Sequence, residues 1–222
     1  MVRIVQTVLG VAALAGTLVL GTPALATLVL STGNSGGGTD NVVFNPCGTS
    51  TGPALNVQGC LNTSHSTLVN FRGTENLVID EGGGQARIDS EDDVFDFFEI
   101  TLVDPDLGFT KLVFNVDATA EGTAHFEAED SDGNVFDFPD FPLDDTGQNF
   151  FNLIASNSEI AVRFTLLSTD DPQIITKLEQ VRLGVVDTTQ AAPEPSTLVL
   201  FGVGLLGLGV TIRRRMRSLT AG

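Results

Sequence analysis

The run Thr110-Lys111-Leu112-Val113-Phe114-Asn115-Val116-Asp117 decides the fold class. Leu112, Phe114 and Val116 alternate with Lys111, Val113, Asn115 and Asp117. Successive side chains of an extended chain point to opposite faces, so this pattern puts an apolar face on one side and a mixed face on the other. That is a half-buried antiparallel strand. Ile160, Val162, Phe164 and Leu166 alternate with Ala161, Arg163, Thr165 and Leu167 in the same way.

Outward from these two runs, short strands are expected over 67–71, 76–80, 85–89, 97–103, 123–130, 135–138, 150–155 and 174–186. Gly82-Gly83-Gly84, Asp132-Gly133-Asn134 and Asp170-Asp171-Pro172 supply turn residues between them. In the last strand the apolar parity changes: Ile174 and Leu178 hold one phase, Ile175, Val181, Leu183 and Val185 the other. A switch near Glu179-Gln180 predicts a bulge or a change of face. No long period of 3.6 residues lies between the two termini. The expectation is an all-β, antiparallel two-sheet sandwich of jelly-roll type over 42–187, preceded by a flexible lead-in over 27–41 carrying Gly33, Gly36, Gly37 and Gly38.

The ends read differently. Residues 1–26 carry Arg3, an apolar stretch from Val8 to Leu20, and Ala24-Leu25-Ala26, the small-x-small pattern of a signal-peptidase site. A signal helix removed after export is expected there. At the other end, a linker over 188–195 holds Pro193-Glu194-Pro195, and 196–217 holds the apolar run Thr197 to Ile212 with Arg213, Arg214, Arg215 and Arg217 behind it. This run of sixteen residues sits at the short end of what crosses a hydrocarbon core of about 30 Å. The arginines mark the cytoplasmic side, so the preceding chain lies outside. Gly202-x-Gly204-x-x-Gly207 has the spacing of a dinucleotide fingerprint but follows no strand of a βαβ unit, so it is read as part of the span.

The signal peptide, Pro193-Glu194-Pro195, the Gly-rich span and the Arg cluster together resemble the PEP-CTERM family of bacterial surface proteins. The resemblance covers about the last thirty residues and implies recognition by exosortase, a transpeptidase-like membrane enzyme. It implies an inner-membrane anchor before processing, then transfer to the surface or matrix of an exopolysaccharide-making bacterium. It implies nothing about the domain upstream.

Between the two end segments lie six basic and 27 acidic residues, a formal charge of −21. A field of that sign excludes nucleic acid and anionic lipid as natural partners and favours cations, basic proteins or plain solubility. Tyr and Trp are absent, which removes the usual sugar-stacking rings with a polar edge. Cys47 and Cys60 are expected to pair once exported, closing a loop rich in Gly, Ser, Thr and Pro.

Catalytic chemistry finds little support. His65 and His125 are the only histidines, and no Gly-x-Ser-x-Gly elbow or His-Glu-x-x-His pair occurs. His125 is expected to face solvent beside Glu127 and Glu129. Two acidic runs could offer calcium the oxygens it needs: Ser90-Glu91-Asp92-Asp93 and Glu129-Asp130-Ser131-Asp132. The second fails the EF-hand pattern, with Gly133 misplaced and Phe141 where a bidentate Glu belongs. The candidate calcium ligands are Asp92, Asp93, Asp130 and Asp132, the alternative being ordinary turns. Phe136, Phe138, Phe141, Phe150 and Phe151 read as core packing, with an exposed contact patch as the alternative. The expected function is a non-catalytic surface or matrix protein associated with exopolysaccharide or biofilm. A calcium-dependent carbohydrate-binding module is the alternative, and an extracellular hydrolase a distant third.

Overall fold

The computed structural model describes residues 27–45, 47, 52–80, 85–168 and 174–189. The signal peptide, the Pro-Glu-Pro motif, the apolar run and the arginines lie outside them, as do the turns expected at 82–84 and 170–172. Among the described residues every regular element is a strand, and no helix is long and apolar enough to cross a membrane.

The strands are β1 (Thr27–Thr32), β2 (Asp40–Val43), β3 (Ala54–Leu61), β4 (Leu68–Ile79), β5 (Arg87–Ser90), β6 (Phe97–Leu102) and β7 (Leu107–Ala118). They continue with β8 (Gly122–Asp130), β9 (Val135–Asp137), β10 (Phe141–Leu143), β11 (Asn149–Ser156), β12 (Ala161–Ser168) and β13 (Ile175–Asp187). All pairings are antiparallel. The order is β1-β11-β7-β13-β2-β3-β4-β6-β12-β8-β10, with β5 joining β13 to β4 and β9 alongside β8. A further pairing of β12 with β7, at Ala161 and Phe109, closes the path on itself.

The strands thus form one continuous hydrogen-bonded network rather than two separate sheets. Strands change partner at irregular points. The first half of β4 pairs β6 through Val69–Gly73, and its second half pairs β5 through Leu77–Ile79. The expected break between 67–71 and 76–80 is therefore a bend within one strand. β13 pairs β5 at 177–179 and β2 at 182–183, and its register slips between Glu179 and Arg182, where Gln180 has φ of 55°. The parity switch read in the sequence is this bulge.

Inward side chains from β7 and β11 meet those of β8 and β12. Phe114 lies 5.7 Å from Phe126 and 5.1 Å from Phe164, and Phe126 lies 4.7 Å from Phe151 between ring centroids. Phe44, Phe71, Phe98 and Phe95 continue the aromatic core. Phe138 and Phe151 are buried, and Phe136 and Phe141 pack against the core, so that group belongs mainly to packing.

The reading of 27–41 as a flexible lead-in is corrected. Its apolar start is β1, with Leu28 and Leu30 buried, and Gly33 to Thr39 lie across the outer face of β11, β7 and β13. Asn152 holds this loop by accepting from the Ser35 N–H (3.0 Å) and Ser35 hydroxyl (3.3 Å), and by donating to the Gly33 carbonyl. The Lys111 ammonium donates to the Gly37 carbonyl at 2.8 Å, and Arg182 donates to the Asn34 side chain. Val113 stands in register between Asn152 and Arg182 and is fully buried, so the outer face of β7 is covered here.

Candidate functional site

The two acidic runs are placed at opposite ends of the strands. Asp92 and Asp93 occupy the turn between β5 and β6, where the Phe95 N–H donates to the Ile175 carbonyl near Ala118. The Ser90 hydroxyl donates to Asp92 at 2.5 Å, and Asp93 takes a left-handed backbone with φ of 72°. Asp130 and Asp132 occupy the turn between β8 and β9, where Asp130 pairs with Ala161 and Ala161 with Phe109. The structure does not bring the two pairs together.

Asp130 is buried and saturated. It accepts from the backbone N–H of Asp132 (2.9 Å) and of Asn134 (2.8 Å), and from the Asn134 side-chain amide (2.7 Å). Burial pushes its carboxyl up, but the donors, Asn134 foremost, outweigh this and hold Asp130 below the usual carboxylate range. Glu159, also buried, contributes a further hydrogen bond. Burial first, then the Asp130 charge and the bond to it, push the Glu159 carboxyl up. The two carboxyls share a hydrogen bond, and both are committed to the hairpin. Among the described residues, no set of three or more His, Cys, Asp or Glu side chains is arranged to hold a metal ion.

His125 is not a plain surface residue. Its Nδ1 lies 2.9 Å from Asp140 and its Nε2 3.1 Å from Asp137, so the ring clamps the segment after β9 to β8. The four strands β4, β6, β12 and β8 carry an ion-pair ladder on their outer face. Arg72 and Arg163 each stand 3.8 Å from Glu99, and Arg163 also pairs with Glu129.

Cys47 and Cys60 form the expected disulfide, with Cα atoms 5.6 Å apart. Cys60 is buried on β3, so the bond ties the loop before β3 to the core.

Two clefts among the described residues lie at the end that also carries Asp92. An open cleft of about 620 Å³ is lined by Glu121, Gly122, Pro142, Leu143, Asp144 and Asn149. A smaller one of about 230 Å³ shares Pro142 and Asn149 and adds Asn34, Gln148 and the half-buried Phe150. Asn149 braces the wall, donating to the Val116 and Asp144 carbonyls at 3.0 Å and accepting from the Asp144 N–H at 2.8 Å. Exposed acids, amides and a ring edge meet here. Sequence reading missed this site because its residues come from three separate turns.

Residues 191–215 match the PEP-CTERM protein-sorting motif. The tail therefore indicates an exported protein processed by a membrane exosortase, as the resemblance implied. The matched segment is the tail alone and says nothing of the β domain. No curated protein matches the chain. Among solved structures, a mutant of the family 29 carbohydrate-binding module CBM29-2 is 13% identical, covering 76% of this chain and 100% of that one, with a TM-score of 0.32. Another mutant of a family 29 carbohydrate-binding module is 13% identical over 76% and 99%, also at 0.32. Overlaps this low carry no argument about ligand.

Proposed function

We propose that this chain is a non-catalytic protein of the bacterial surface or extracellular matrix. Its closed antiparallel β domain is delivered by the PEP-CTERM tail and associates with exopolysaccharide. The single observation that carries the reading is the sorting motif at 191–215. The cleft of Glu121, Asp144, Gln148 and Asn149 supports it by gathering exposed carboxylates and amides at one end of the domain. In that cleft the amides and carboxylates are the groups that would take sugar hydroxyls.

The test is processing. In cells that make an exosortase, peptide mapping of the surface form should find no residues beyond the Pro193-Glu194-Pro195 region. Glu194→Ala should leave a membrane-held, unprocessed chain whose domain melts as before. A surface form that still carries Arg213 to Arg217 reduces the tail to a plain anchor and refutes sorting.

Calcium-dependent carbohydrate binding is the second reading. It would require Asp130 and Glu159 to give up the hydrogen bonds that now commit them to the hairpin. Isothermal titration with Ca²⁺, with and without polysaccharide, separates the two.

A further inference from the structure

Both ends of the β domain leave from the same pole. Thr27 pairs with Ser156, two residues beyond Ile154 on β11. Ile154 pairs with Lys111, so Ser156 is level with Phe109 on β7, which pairs with Val185 of β13. Thr27 and Val185 therefore stand at one level, three strands apart, roughly 15 Å at ordinary strand spacing. The β6–β7 turn shares this pole, because both the N–H and the hydroxyl of Thr188 donate to the Asp106 carbonyl at 2.8 and 2.9 Å. So does the β8–β9 hairpin, since Asp130 is level with Ala161 and Phe109. The cleft of Pro142, Asp144 and Asn149 lies at the other pole, where Gly122 pairs with Leu143 and Asn149 with Val116.

Resting on the sorted-precursor reading, we propose that the pole carrying Thr27 and Asp187 faces the lipid surface in the anchored precursor, and that the cleft pole points away. The apolar run begins at Thr197, ten residues after the end of β13, and ten extended residues reach at most about 35 Å. The other pole lies roughly 40 Å farther off, the length of a twelve-residue strand such as β7. A chain entering or leaving there would have to run back along the whole domain.

The near pole carries both exposed apolar and acidic side chains. Val29, Val103, Val135 and Ile154, four of the exposed large apolar residues, ring it. Asp104, Asp106, Asp132 and Asp187 accompany them and repel anionic headgroups within a screening length of about 10 Å at 0.1 M salt. The short tether, and not attraction between this pole and the lipid, therefore keeps it toward the surface. After processing, the same geometry keeps the cleft turned outward wherever the C-terminal end is attached.

The test is energy transfer from the domain to labelled lipids. The full chain, tail included, is reconstituted into phosphatidylethanolamine–phosphatidylglycerol vesicles carrying acceptor dye on their headgroups. A donor is attached through an introduced bio-orthogonal residue at exposed position Asp132 or, separately, Asp145, leaving the disulfide untouched. Transfer from position 132 should exceed that from position 145 several-fold. Equal or reversed transfer in chain that floats with the vesicles overturns the orientation while leaving the anchor intact. Chain that fails to float with them overturns both the anchor and the orientation.

Discussion

Glu159 sits where its charge is disfavoured, buried beside the anionic Asp130. Its folded pKa lies above the ordinary glutamate value of 4.5, so the folded chain keeps a proton that the unfolded chain has released. Stability due to this group is complete below about pH 4.5, falls as pH rises through the window up to the raised value, and stays low above it. Glu159→Gln keeps a donor toward Asp130 and removes the charge. The variant should melt a few degrees higher than the parent at pH 7, and the gain should vanish near pH 4, as followed by circular dichroism. Asp130→Ala strips the hairpin of its acceptor and should cost about 2 kcal/mol in urea unfolding. The sequence marked Asp130 and Asp132 because turn chemistry is local. It could not mark Glu159, whose partner is twenty-nine positions away, nor His125 as a clamp, since Asp137 and Asp140 reach it only after the chain turns back.

Strands were legible where alternation was strong and turns were close. The runs at 97–103, 110–117, 123–130 and 174–186 correspond to β6, β7, β8 and β13, with the bulge at Gln180 included. β1, β2 and β3 were not. The apolar residues of β1 continue those of the signal segment, and β3 lies in the loop that the disulfide closes, amid turn residues. Their partners are also distant: Thr27 meets Ser156 and Asp40 meets Leu183. Two predictions belong to these elements. Asn152→Ala removes the side chain that holds the Gly33–Thr39 loop, so limited proteolysis should cut near Gly36–Gly38 before the domain unfolds, with a stability loss of about 1–2 kcal/mol. Gln180 adopts a left-handed backbone, which glycine accepts without a Cβ penalty. Gln180→Gly should therefore be neutral or stabilising by up to about 1 kcal/mol, and Gln180→Val clearly destabilising, in the same urea assay.

The six basic residues of the exported part are all committed to the sheet surface. Arg72 and Arg163 share Glu99, Arg87 lies 3.2 Å from Glu179, and Lys177 stands in register between Asp89 and Asp117. Lys111 and Arg182 hold the loop over β7. Six basic residues against 27 acids leave the carboxylates of the exported part in net repulsion. The melting temperature should rise with NaCl. Millimolar Ca²⁺ should raise it further at matched ionic strength if the ion binds the folded state specifically; equal rises would mean screening alone.

The pairing of the first strands with the last also fixes when the domain can fold during export. The chain emerges with β1 and β2 leading, yet neither has its full set of neighbours until β11 and β13 have followed across the membrane. Such distant contacts make closure late and slow. By the time Asp187 is out, Thr197 is only ten residues behind, and the apolar run is entering the translocation path. A stop at that run would hold the newly complete chain beside the membrane during the interval in which its leading and trailing strands find one another. The retention segment would then give the domain time to mature as well as an address.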